Sequence, residues 1–225
     1  MNRTLVHEVM TTPVVTATEA MPFRDLAALL YARDIGAVPV VASAGQLLGV
    51  ASRPDLIPKT AGLAAAAGLC PAFGPRRRER RQALARTAGE LMTAPAVTVA
   101  PQATVEQAAR LMRRHRIGRL PVTSPRTGLL AGIVTRSDLL RVYRRPGEQI
   151  RAEIETEVLP RVRGADPRRL AVSVHDGVVS ISGRVEARSA VARLVSAVLA
   201  VEGVVGVDER PGFDLDDRYA VPVTF

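Results

Sequence analysis

"GIVTRSDLL", residues 132–140, and "GVASRPDLI", residues 49–57, share one plan: a glycine, two apolar residues, a hydroxyl, and three residues later an aspartate followed by leucine. The likeness extends backwards from both. "VMTTPVVTAT" (9–18) aligns with "LMTAPAVTVA" (91–100), and "IGAVPVV" (35–41) with "IGRLPVT" (117–123), each at an offset of 82 residues. The final motif is offset by 83, so one residue is inserted between Val122 and Gly128. That insertion falls in "TSPRTG", a run of turn formers that tolerates it. The chain therefore contains one structural unit twice, and a repeat decides the architecture before anything else.

Each unit reads as strand, helix, strand, strand, helix. The helix pattern is Phe23, Leu26, Ala27, Leu30 in the first copy and Val105, Ala108, Ala109, Met112 in the second. Short apolar strands then pass through Pro39 or Pro121, and "QLLGVAS" or "LLAGIVT" runs straight into another helix. Such a unit is a small sheet with helices on one face, so two units must pair to cover what each leaves open. The expected fold class is α/β (α+β).

The hydroxyl and the aspartate sit where a strand meets a helix, which is a helix-capping pattern. Thr135 can accept from an orphan backbone N–H, and Asp138 suits the positive end of the helix. No ligand is needed for that. The same helix end also suits phosphate, and a carboxylate one turn in can accept both hydroxyls of a ribose. The residues alone leave both readings open.

The "MT-x-P-x-V-T" openings, "IGRLPV" and "GIVTRSDL" resemble a tandem pair of CBS domains (the cystathionine-β-synthase regulatory module) over about residues 5–145. The resemblance implies an adenosine-nucleotide cleft, with AMP, ADP, ATP or S-adenosylmethionine as a regulatory ligand. Carried over to the second repeat, Thr135 faces phosphate, Asp138 holds the ribose, and Ile117, Pro121 and Ile133 line the base. Thr98 joins from the opening strand, and Arg119 is placed to neutralise phosphate. The first repeat offers Thr16, Pro39, Ser52 and Asp55. Ala37 stands there in place of Arg119, and Pro54 removes an N–H and is expected to push Arg53 from helical geometry. The first site is therefore expected to be the weaker.

Beyond Pro146-Gly147 the pattern changes. Ile150, Ile154 and Val158 mark one helix face; Leu170, Val172 and Val174 alternate into an Asp176-Gly177 turn; Val179 and Ile181 alternate back. Val191, Leu194, Val195, Val198 and Leu199 give a second helix stripe, ended by Gly203, and "VVGVDE" closes as a strand. This αββαβ order with its glycines resembles a BON domain, a family thought to bind phospholipid surfaces or other macromolecules. The expected division is 1–58 and 91–146 for the repeats, 59–90 for an Ala/Gly/Pro-rich and basic linker, 148–211 for the BON domain and 212–225 for a tail.

Composition narrows the function classes. The formal charge is +9, yet Lys59 is the one lysine, aromatics are 3% and tryptophan is absent. Base-stacking platforms are scarce, so arginine content rather than nucleic-acid binding accounts for the charge. "RRRERR" reads first as a solvated helix face. Cys70 alone gives no disulfide or multi-cysteine metal site. His7, His115 and His175 have no metal-ligand spacing, and no Walker or Rossmann glycine loop occurs. "MNRTLVHEVM" has no signal-peptide core. The expectation is a cytoplasmic, non-enzymatic regulator that forms a homodimer through its CBS pair. Two alternatives are a structural adaptor without ligand, and attachment to anionic lipid or nucleic acid through arginines.

Overall fold

The computed structural model describes residues 3–60 and 81–217. The stretch 61–80, with Cys70 and most of "RRRERR", and residues 218–225 lie outside the described residues. The chain divides into two compact units: residues 5–136, and residues 137 onwards together with the first four.

In the first unit, α1 (Val6–Val9) leads to β1 (Ala17–Thr18), α2 (Phe23–Ala32), β2 (Ala37–Val41), β3 (Leu47–Ser52) and α3 (Arg53–Thr60). The second copy follows with α4 (Ala88–Leu91), α5 (Val105–His115), β4 (Arg119–Thr123) and β5 (Leu130–Thr135). β1 runs parallel to β2, and β2 antiparallel to β3. β4 and β5 repeat the antiparallel pair, and a parallel bridge from Val99 to Val122 stands where β1 meets β2. Even the register irregularity recurs, at Val40/Val41 and at Val122/Thr123. Burial of Leu26, Leu30, Val38, Val40 and Ala51 makes the first core, and Val105, Ala108, Met112, Leu120, Val122 and Val134 are buried in the second copy. Ala109 is exposed, so the α5 stripe is narrower than the periodicity suggests. Thr104 caps α5 by accepting from Gln107 N–H at 3.2 Å, while Gln107 accepts from Thr104 N–H at 2.9 Å.

The two copies are stitched by exchange. Thr11 of the first opening segment exchanges backbone hydrogen bonds with Ile133 of β5, at 2.8 and 3.2 Å. Thr93 of the second does the same with Val50 of β3, at 2.8 and 3.1 Å. This explains the glycine that begins both motifs. A Cβ on Gly49 would lie 2.6 Å from Met92 Sδ and 2.7 Å from the Thr93 carbonyl oxygen, and one on Gly132 would strike the Met10 side chain. The repeat is therefore an obligate pair.

Between the copies, residues 81–84 are helical, but Thr87 is the N-cap of a separate α4 and Leu84 is exposed. Ala83, Leu84, Thr87 and Leu91 stand at helical spacing but are divided between two pieces. α3 also begins at Arg53, with Ser52 ending β3. Pro54 does not push Arg53 out of the helix, because the first turn needs no N–H from it.

The second unit starts in α6 (Arg136–Leu139) and a 3-10 turn (Leu140–Arg144), followed by α7 (Gly147–Glu153), whose last turns widen into a π segment (Ile154–Val158). Ile150, Ile154, Val158 and Leu159 are buried. β6 (Leu170–His175) and β7 (Val178–Ala187) form the hairpin, with Asp176 and Gly177 at φ 48° and 78°, the left-handed pair a two-residue turn requires. α8 (Arg188–Leu199) buries Ala190, Leu194, Val195 and Val198, whereas Leu199 is exposed. β8 (Gly206–Val207) pairs parallel with the start of β7.

Residues 212–217 are not a loose tail. β9 (Gly212–Leu215) pairs parallel with the far half of β7, and Asp217 accepts from Ser189 N–H at 3.0 Å and from its hydroxyl, capping α8. Hydrogen bonds from Ser189 hold the Asp217 carboxyl below its ordinary range, and those from Arg184 and Arg169 do the same for Asp214. Thr4 belongs to this unit as well: its N–H and hydroxyl donate to the Glu202 carboxylate at 2.9 and 2.6 Å. No helix among the described residues is long and apolar enough to cross a membrane.

Candidate functional site

The exchange of opening segments creates a cavity of about 500 Å³ inside the first unit. Its walls come from both copies: Gly36, Ala37, Ser52, Pro54 and Asp55 from the first, and Pro95, Val97 and His115 to Arg119 with Pro121 from the second. Five of the residues expected from sequence meet there, but in a different grouping. Ser52 and Asp55 of the first set face Ile117, Arg119 and Pro121 of the second.

The others are placed elsewhere. Pro39 is buried in β2 opposite Val50, and Thr16 and Thr98 are half-buried in the opening segments. Ile133 bridges to Thr11, and Thr135 ends β5 opposite Arg119. Asp138 falls in the second unit, where it is 6% exposed and pairs with Arg141 at 3.2 Å.

Arg119 is the telling side chain. It is half-buried, and its guanidinium lies over Gly36, where a Cβ would collide with it. Burial, and then the charge of Arg53, hold its pKa below the ordinary arginine value; guanidinium nevertheless stays charged at neutral pH. Arg53 is itself paired with Asp34 at 2.8 Å. Arg119 has no acidic partner among the described residues. His115 and Arg116 close the same wall, and Arg116 takes the left-handed conformation (φ 54°) that ends α5. The cavity thus carries two arginines and a histidine against one carboxylate, an arrangement that attracts an anion.

Asp55 is 5% exposed and well supplied with donors. Its Oδ2 accepts from Ser52 N–H at 2.9 Å and from the Ser52 hydroxyl, and its Oδ1 accepts from Gln82 Nε2 at 2.6 Å. The hydroxyl here donates to the aspartate instead of accepting from the helix. Sequence reasoning weighed His115 as a metal ligand and did not reach Arg116, Gln82, Gly36 or Val97. Only the exchange of segments, which periodicity does not encode, brings them to Asp55. Among the described residues no group of three or more His, Cys, Asp or Glu could hold a metal ion.

Comparison with known proteins agrees with the repeat. Residues 6–61 and 88–145 match the CBS domain family, and residues 147–210 match the BON domain family. An uncharacterized protein, MJ1404 of Methanocaldococcus jannaschii, is 26% identical over 77% of this chain, which spans 40% of that protein's length. Hypoxic response protein 1 of Mycobacterium tuberculosis is 30% identical over 61% of this chain and 84% of its own. Among solved structures, CBSX2 of Arabidopsis thaliana in complex with AMP has a TM-score of 0.52 at 24% identity, over 61% of this chain and 94% of that one. That likeness is one of fold.

Proposed function

The chain belongs to the CBS-domain family and carries a BON domain behind the pair, and from that premise we propose that it is a non-enzymatic regulator whose first cleft binds an adenine nucleotide. The observation that carries this is Arg119 of one repeat, without an acidic partner among the described residues, facing Ser52 and Asp55 of the other across a cavity large enough for a nucleotide. Asp55 supplies the acceptor for a ribose, Val97, Ile117 and Pro121 the apolar wall for a base, and Arg119 the charge for phosphate. The cation on which a ranking of the repeats rests lines the first cleft, so the first cleft is the proposed site. The excess of positive charge favours AMP, ADP or ATP over the cationic S-adenosylmethionine. Ligand binding would bridge both repeats, and the BON domain would present the output surface to a protein or phospholipid partner. Tyr31 and Ile57 are 86% and 60% exposed on α2 and α3 and offer apolar surface for a homodimer.

A thermal-shift panel of AMP, ADP, ATP and S-adenosylmethionine tests the reading. A ligand at a hundred times its dissociation constant adds about 2.7 kcal/mol. The phosphorylated ligands are expected to raise the midpoint and S-adenosylmethionine to do so least; a flat panel would remove the nucleotide site. One observation favours a second reading, a ligand-free adaptor scaffold: the Asp55 carboxylate already has internal donors on both oxygens. A flat panel together with a stable dimer in light scattering is its signature.

A further inference from the structure

The carboxylate at the heart of the first cleft is already in use. Ser52 N–H and hydroxyl donate to Oδ2, and the Gln82 side-chain amide donates to Oδ1 at 2.6 Å. A carboxylate has about four lone-pair sites, and a ribose diol asks for two of them. Gln82 is 4% exposed and is not part of either repeat motif. It comes from the helical turn at 81–84, which is firmly seated: Ala83 and Ala85 are buried, Lys59 Nζ donates to the Ala85 carbonyl at 2.6 Å, and Arg81 donates to the Met92 carbonyl at 2.8 Å. A fixed scaffold therefore delivers a neutral donor to one of the two carboxylate oxygens on which a ribose diol would draw. The equivalent Asp138 forms an ion pair with Arg141 of its own helical segment, a side chain more than half exposed.

We propose that Gln82 is an internal competitor for the nucleoside diol at the first cleft: its amide occupies Asp55 Oδ1, and a ribose gains that oxygen by displacing it. The proposal rests on the nucleotide reading of this cleft. It makes the turn at 81–84 an affinity-setting element, because the amide that this seated turn holds against Asp55 must give way whenever ligand is bound.

The test is calorimetric titration of AMP into the full-length protein and into Gln82→Leu and Gln82→Asn, with ligand-free melting measured alongside. Leucine keeps the volume and removes the donor; asparagine draws the amide back by one methylene. The expected result is an AMP dissociation constant lower by about tenfold for Gln82→Leu, or about 1.4 kcal/mol, and by less for Gln82→Asn. The ligand-free midpoint is expected to fall in both, since a buried carboxylate loses a donor. A purely structural glutamine would lower the midpoint and leave AMP affinity unchanged or weaker, and that result overturns the proposal while sparing the nucleotide site. If AMP binds neither the parent protein nor the variants, the nucleotide reading falls and takes the competitor with it. Should Gln82→Leu fail to fold, Gln82→Asn carries the same decision.

Discussion

The two strand-to-helix junctions, "SRPDL" and "TRSDL", are copies in sequence and differ in company. At the first, Asp55 is enclosed by Ser52 and a buried amide from outside the repeat. At the second, Asp138 is equally buried and forms an ion pair with Arg141, an exposed cation three residues along. A capping motif fixes the geometry of a carboxylate but not its surroundings. Duplication preserves what is local, the cap and the glycine, while the segments that fold over each copy are free to diverge. The asymmetry extends to the cavity, where Arg119 of the second repeat faces the carboxylate of the first.

The largest expected effect tests that crossing of repeats. Arg119→Ala removes the guanidinium from the first cleft, and hydrogen bonds to charged groups contribute about 1.5–3 kcal/mol. AMP affinity is expected to fall about ten- to hundredfold, while adenosine, which lacks phosphate, changes far less. Calorimetry with both ligands checks this. Equal losses for AMP and adenosine would mean that Arg119 only packs over Gly36, and the electrostatic distinction between the clefts would disappear.

A smaller effect probes the stitching. Gly49→Val and Gly132→Val both force a side chain against the other repeat's opening methionine, but the Gly49 position also meets the Thr93 backbone carbonyl. Backbone cannot turn aside as a methionine side chain can. Gly49→Val is expected to cost about 1–3 kcal/mol, the usual range for overpacking, and Gly132→Val distinctly less. Urea unfolding of both variants decides, and equal costs would show that the two exchanges are mechanically the same.

Much of this molecule was legible beforehand because it is local. The duplication, the helix stripe through Leu26 and Leu30, the hairpin turn at Asp176-Gly177 and the faces through Ile150 and Leu194 all follow from periods of two or about four residues. Of the residues expected at a site, Ser52, Asp55, Ile117, Arg119 and Pro121 line one cavity, and no single repeat supplies all five. Thr135 and Arg119 are neighbours in register, so placing them in one cleft was reasonable from a single repeat. The exchange of opening segments overrides that, and it depends on tertiary pairing between residues such as Val50 and Thr93. Gln82 carried no signal, since a glutamine in a basic, alanine-rich stretch has no period to announce its partner. The strand Gly212–Leu215 was missed because two aspartates and a proline surround a stretch whose supports are all distant in sequence: pairing with β7, the Arg169 and Arg184 contacts to Asp214, and the packing of Phe213 on the core.

The smallest expected effect concerns the independence of the first cleft from the removed C-terminal part. Every residue lining the first cleft lies between 36 and 121, inside the first compact unit, whereas Asp138 belongs to the second. Truncation to residues 1–147 removes α7, the β6–β7 hairpin and α8, together with Glu202, the partner of Thr4. AMP affinity is therefore expected to stay within about twofold of the full-length value, well under the 1.4 kcal/mol of a tenfold change, as measured by calorimetry on truncated protein whose folding is verified by circular dichroism. The removed part has a complete aliphatic core of its own, from Ile150 through Val179 and Ile181 to Leu194 and Val198, and a domain of that size can fold alone though with little to spare. A folded truncation that loses affinity tenfold or more would mean that the first cleft draws on the second unit after all. The two junctions would then share one binding apparatus, and the contrast between Asp55 and Asp138 would be one of packing and not of function.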